Sequence, residues 1–301
     1  MSGTPGPVDD RALVLFDVPG EDVAALLAAQ DAVRRDAALA GWVAGAANAL
    51  RAATGEPSPG PALPSREGLD GASYLPVVAF AEVLPDLLAH HEALGVSPEV
   101  SAATLADVGR MLTRNRRWFG VAGLGDELAG WLTRHLTGAI VQLGRLQYER
   151  VHLGQGTGLE LGMAGVPVGP GDLVLSVHIP GAGGPLTPDA VEASVAAAST
   201  FFRRRFPGER YPVAVCWSWL LDPQLAELLP ASSNLVAFQR RFTLGRALDE
   251  DADLTVRKFL WDAPSTPVAQ LPADSTLRRA MLDLWRRGGH WHSHSGWFPW
   301  R

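Results

Sequence analysis

Between Asp172 and Phe242 the chain reads DLVLSVHIP, GAGGPLTPDA, an Ala-rich amphipathic run to Arg205, YPVAVCWSWLLDP and SSNLVAFQRRF. That order predicts a strand, a glycine-rich turn, a helix, a second strand and a second helical segment. It restricts the possible folds because a helix must join the two strands. A strand that feeds a glycine-rich turn at a helix N-terminus also presents backbone N–H groups and the positive end of the helix dipole. Such a terminus suits a pyrophosphate or a developing oxyanion. The same glycines equally suit a tight strand-to-helix connection that needs positive φ.

The first 136 residues have a different character. From Glu21 to about Thr54 the apolar residues follow helical spacing, with Val23, Leu26, Leu27, Val33, Leu39, Trp42 and Val43 on the apolar side. Residues 55–68, GEPSPGPALPSREG, break that pattern and read as a linker or long surface loop. Helical spacing resumes over Tyr74–Leu94, with Pro85 expected to kink or end it. Ser97-Pro98 opens the next helix as cap and first-turn proline, and a shorter one runs from Asp126 to His135. Residues 1–10 are small and polar and read as frayed, and ALVLFDVPG reads as a short strand or extended arm.

After residue 136 the rhythm changes. IVQLGRLQYERV alternates and reads as a strand, and GLELGMA (Gly158 to Ala164) as a second short one. DLVLSVHI and VAVCWSW follow, then FTLGRAL and the alternating C-terminal HWHSHSGWFPWR. Thr187-Pro188-Asp189 opens one helix and Asp274-Ser275-Thr276 another, which Gly288-Gly289 ends. The expectation is an α+β protein: a helical domain over 1–136, then a domain over 137–301 with one mixed, mostly antiparallel sheet flanked by helices.

Composition removes several function classes. A formal net charge of −6 argues against a nucleic-acid binder. Cys216 is the only cysteine, so no intrachain disulfide forms. The start MSGTPGPVDDRALVLFD lacks the basic and apolar regions of a signal peptide. No apolar stretch reads as a membrane span. The expectation is a soluble cytoplasmic protein.

Several segments together resemble a bacterial N-acyltransferase family with a helical N-terminal domain and a C-terminal domain similar to the GNAT fold. They are LGRLQYE (143–149), HIPGAGGPL (178–186), the Phe201–Pro207 region, CWSWLLDPQLAELLPASSNLVAFQRRF (216–242) and LPADSTLRR (271–279). The resemblance implies acetyl-CoA or another acyl-CoA as co-substrate, a small-molecule amine as acceptor and no metal. It places DLVLSVHIP and VAVCWSW as two strands that splay apart around the thioester. It also places Gly181, Gly183, Gly184, Leu186 and Thr187 in the loop that holds the pyrophosphate. The chain departs from the GNAT loop pattern in two ways: no Arg or Gln precedes the glycines, and Pro185 and Pro188 lack N–H groups. A fold kept as a binding or regulatory module is the alternative reading.

Candidate catalytic groups cluster near that loop. His178, at a strand end, is a candidate general base for the acceptor amine or a histidine tied to a loop carbonyl. Glu149 is a second candidate base, and the strand carrying it, with Arg145, Gln147 and Arg150, has a solvated face as its default reading and a buried or cleft-lining Arg–Glu pair as the alternative. Ser218 is a candidate hydrogen-bond donor to the leaving thiolate or the substrate. It shares a strand face with Cys216, which reads either as a nucleophile or as a small buried hydrophobe. Asn234 reads as a helix cap, and Gln239, Arg240 and Arg241 as possible contacts to an anionic substrate. His290, His292 and His294 alternate on one strand, where three imidazoles converge poorly on a metal ion.

Overall fold

The computed structural model describes residues 8–300, without the side chains of 249–251. The chain divides into two compact units, Met1–Gln142 and Leu143–Arg301. The first contains α1 (Asp10–Leu15), α2 (Gly20–Arg35), α3 (Ala37–Ala52), α4 (Leu75–Leu94), α5 (Pro98–Leu105), α6 (Asp107–Phe119) and α7 (Asp126–Leu136). Their apolar faces form one core around Phe80, Leu50, Leu26 and Leu112, all fully buried. The residue types at the helix ends explain the breaks. Asp36 accepts from the amides of Ala38 and Leu39 and starts α3, Ser97 caps α5, and Gly95 and Gly120 end α4 and α6 in the left-handed conformation.

Three expectations for this unit need correcting. ALVLF is the helix α1, capped by Asp9, because its apolar residues are drawn into a helical core. Residues 1–7 of the expected frayed terminus lie outside the described residues, but Val8 is buried and Asp9 is a cap. Pro85 does not end a helix, since α4 continues through it. Burial of Val83, Leu84 and Leu87 on both sides of the proline holds that helix together. The stretch Ala72–Leu94 is long and apolar enough to cross a bilayer, and it is 61% buried inside the fold.

β1 (Ile140–Leu143) ends at the division between the units, and the second unit carries β2 (Leu146–His152), α8 (Gln155–Met163), β3 (Leu173–His178), α9 (Pro188–Arg205), β4 (Val213–Ser218), α10 (Gln224–Leu228), α11 (Asn234–Gln239), β5 (Thr243–Asp251), α12 (Asp253–Trp261), α13 (Thr276–Arg286) and β6 (His292–Pro299). The sheet order is β1-β2-β3-β4-β6-β5. β3 and β4 are parallel, while the β2–β3, β4–β6 and β5–β6 pairs are antiparallel. The single alternating stretch IVQLGRLQYERV is thus two strands, turned at Gly144 with φ +66°. GLELGMA is not a strand. It lies in α8, whose Leu161 packs on the sheet with Val174, Val215 and Trp297. A short segment with leucines two apart fits either period, and only the sheet beneath it decides.

Candidate active site

β3 and β4 run side by side only briefly. Their register pairs are Leu175 with Ala214 and Ser176 with Val215. Beyond that point Val177 and His178 keep their partners Tyr148 and Gln147 in β2, while Cys216, Trp217 and Ser218 keep Gly296, Ser295 and His294 in β6. The two central strands therefore part at their C-terminal ends and leave a seam in the sheet. Strand alternation puts Glu149, Ser176, His178, Val215 and Trp217 on one face, and Tyr148, Val177, Cys216 and Ser218 on the other.

His178 and Glu149 meet on the first of these faces. Nε2 of His178 lies 2.6 Å from Oε2 of Glu149 and 3.2 Å from Oγ of Ser176. The carboxylate is buried, and the imidazole is about one-quarter exposed at the seam. A buried carboxylate on one imidazole nitrogen fixes ring orientation and favours the tautomer with hydrogen on that nitrogen. The expected solvated face of β2 does not exist: Arg145, Gln147, Glu149 and Arg150 are all buried. Arg150 is paired with Glu209 at 2.7 Å and lies over the Phe206 ring.

The glycine loop follows β3 directly. Gly183 and Gly184 take φ of +93° and +80°, a region in which glycine alone is unstrained. Arg145, from the turn between β1 and β2, donates to the carbonyl of Gly184 through Nε at 2.9 Å and to that of Pro180 through Nη1 at 2.9 Å. The loop lacks an arginine in sequence, yet one is supplied from the β1–β2 turn. No local signal in the loop reveals this, because Arg145 lies 35 residues from Pro180. Burial lowers the pKa of its guanidinium. Thr187 accepts from the amide of Ala190 and caps α9, with Pro188 in its first turn. Ser194 anchors α9 against the β1–β2 hairpin through Leu143, Leu146 and Tyr148.

A groove of about 370 Å³ runs from Leu186, Pro188, Val191 and Glu192 at the start of α9 to Arg240 and Arg241 after α11. Arg241 is ion-paired with Glu192 and lies over the Phe298 ring. The cap of α11 is Ser233, not Asn234, because the serine Oγ accepts from Leu235 one residue earlier than expected. Gln239 is buried and donates to the carbonyls of Leu220 and Asp222, so it holds the chain after β4 and does not line the groove.

The remaining candidates fall elsewhere. Ser218 is on the face opposite His178, where its Oγ accepts from the amide of Leu220. Cys216 is buried on that same face, and burial pushes its thiol up to about 12, the state of an inert core thiol. His290 is bound to Asp253 and lies before β6 begins, and His294 meets the carbonyl of Gly245. Among the described residues no group of three or more His, Cys, Asp or Glu side chains is placed to hold a metal ion. Trp217 stands across the seam from His178, a placement that strand alternation along β4 alone does not reveal.

This geometry agrees with what the chain is similar to. Residues 9–138 match the model of an N-acyltransferase N-terminal domain, and residues 140–298 match that of a GNAT-like C-terminal domain. A crystal structure of an acyltransferase in complex with decanoyl-CoA is 32% identical, with a TM-score of 0.84 over 98% of this chain and 89% of the other. One of an acyltransferase in complex with decanoyl-CoA and teicoplanin is 31% identical, with a TM-score of 0.80 over 97% and 87%. A mutant acyltransferase in complex with octanoyl-CoA is 31% identical, with a TM-score of 0.83 over 98% and 89%. No curated protein matches the chain in sequence. The alternative of a fold without chemistry gives way to an acyltransferase that takes its acyl group from acyl-CoA. With both domain models matched in order along its length, the chain belongs to the two-domain N-acyltransferase family.

Proposed function

We propose that this chain transfers a medium-length acyl group from acyl-CoA directly to an amine on a small molecule, with His178 as general base and Glu149 as the group that orients it. The 2.6 Å contact between His178 and Glu149 at the open end of the β3–β4 seam carries this reading. With its Nε2 hydrogen given to Glu149, the imidazole has its basic lone pair on Nδ1. The acceptor nitrogen attacks the thioester carbonyl carbon, and its proton passes to Nδ1, directly or through water. The tetrahedral adduct collapses with loss of the CoA thiolate, which takes up a proton. Backbone N–H groups along the parted strand edges are placed to polarise the carbonyl oxygen. No enzyme-bound acyl group forms, in keeping with the buried thiol of Cys216.

Gly181, Gly183, Gly184, Leu186 and Thr187 are assigned to the CoA pyrophosphate. The loop opens onto the start of an 18-residue helix, whose N-terminal dipole favours an anion. The medium acyl length rests on the decanoyl- and octanoyl-CoA held by structures similar to this one. Teicoplanin in two of them supports an amine on a glycopeptide-type molecule as acceptor. A cytoplasmic site of reaction, where acyl-CoA donors are available, fits this reading. Thiol release from decanoyl-CoA, followed with and without a glycopeptide amine, tests the assignment. Amine-dependent release and an amide product of matching mass are expected. Release without amide formation, or undiminished turnover in His178→Ala, overturns it.

A further inference from the structure

Trp217 is a large apolar side chain placed where the seam opens. Its strand neighbour Val215 is the last residue of β4 in register with β3, opposite Ser176. Two residues further along the same face, His178 on β3 and Trp217 on β4 flank the gap that opens between the strands. The indole is half-buried against the apolar cluster of Val215, Leu161 and Trp297, and its Nε1–H donates to Oγ1 of Thr157 at 3.2 Å. Thr157 lies in α8, which covers this face of the sheet. The neighbouring Gly158 lets that helix sit close, since a Cβ there would meet the backbone of Pro170 at 2.4 Å. The indole is thus held between sheet and helix.

The glycine loop follows His178 at this same open end, and the groove at the start of α9 lies on the opposite face of the sheet, the one α9 covers through Tyr148. A thioester that enters from there and reaches His178 must send its acyl chain out on the face carrying His178 and Trp217. The chain then runs into the indole. Behind the indole lies the packed apolar cluster of Val215, Leu161 and Trp297.

We infer that Trp217 is the specificity-determining residue for acyl-chain length: its indole, held by Thr157, forms the wall against which the acyl chain ends. This rests on the acyl-CoA reading above and deepens it. Removal of the indole leaves an apolar cavity continuous with the seam, and such cavities take up apolar ligands rather than water. Each further methylene buried there is worth about fourfold in kcat/KM.

The test compares butanoyl-, octanoyl-, decanoyl- and dodecanoyl-CoA as donors for wild type, Trp217→Phe, Trp217→Ala, Thr157→Val and Thr157→Ser. In wild type, kcat/KM rises with chain length and then falls. In Trp217→Ala the dodecanoyl-to-octanoyl ratio rises by about tenfold or more, as two or more extra methylenes find room. Trp217→Phe moves it in the same direction by less. Thr157→Val broadens the profile and Thr157→Ser, which keeps the hydroxyl, restores it. An equal loss at every length, or an unchanged ratio in folded Trp217→Phe and Trp217→Ala, overturns the inference while leaving the acyltransferase reading intact. Absence of turnover by wild type with every donor overturns both.

Discussion

Arg145 donates to Gly184 through its Nε at 2.9 Å and with Nη1 reaches Pro180 at the same distance, so one side chain ties both ends of the glycine loop to the β1–β2 turn. The loop has two residues at positive φ, and Gly181 to Pro185 are exposed, so this clamp is its side-chain tie to the sheet. Charged hydrogen bonds of this kind are worth roughly 1.5–3 kcal/mol each. Arg145→Ala is expected to raise KM for acyl-CoA about tenfold or more, with a smaller fall in kcat. Faster amide hydrogen exchange over residues 179–187 should accompany it. Arg145→Lys restores little, because a single ammonium does not span two carbonyls in fixed fork geometry. An unchanged KM and exchange rate in Arg145→Ala would show that the loop orders itself.

His178 and Glu149 are predicted to differ in how their loss is read. General-base catalysis contributes roughly 10²–10⁴-fold. His178→Ala should lose activity in that range through kcat. Glu149→Gln keeps the ring in place without the negative charge, and a smaller fall in kcat is expected, with acyl-CoA binding unchanged. Equal binding defects in both variants would instead assign the pair to substrate recognition.

Cys216 gives a control on mechanism. Its thiol is buried and pushed up to about 12 by burial. The folded enzyme is expected to resist iodoacetamide near neutral pH, and Cys216→Ala to retain most of its turnover. Cys216→Ser places an unpaired hydroxyl in an apolar site and should cost about 1–3 kcal/mol in chemical denaturation. Rapid labelling with matching loss of activity would argue for a covalent step.

The helical unit carries a pH dependence independent of catalysis. His91 is buried, with Nδ1 2.9 Å from Oγ of Ser101. Burial, aided by neighbouring His90, brings its pKa from the ordinary 6.5 down to about 4. The unfolded chain then binds a proton that the folded chain refuses. Stability is full above pH 6.5 and declines as the pH falls toward 4, by roughly 3 kcal/mol when complete. Denaturation midpoints at pH 7 and 4.5 measure it. In His91→Leu the decline should be shallower by that amount, and an identical slope in both proteins would refute the assignment.

Much of this protein is written in local patterns. Thr187-Pro188, Ser97-Pro98 and Ser275 start helices where expected, because a cap bonds its own helix within three residues. The strand-turn-helix-strand unit and its glycines were equally legible, as was the position of His178 beside the loop. Local pattern failed where neighbours in space overrule it. The GLELGM segment is helical because the sheet offers its Leu161 an apolar seat, and α4 passes through Pro85 because the core grips it on both sides. The site depends on the same long-range terms. Glu149 is 29 residues from His178, Arg145 is 39 from Gly184, and Thr157 is 60 from Trp217. Sequence spacing carries no signal for such pairs, since strand order and register decide which side chains meet. The residue types and their elements were therefore readable one segment at a time. The seam, its clamp and the wall beside it came into being only when β3 and β4 paired briefly and then turned to different partners.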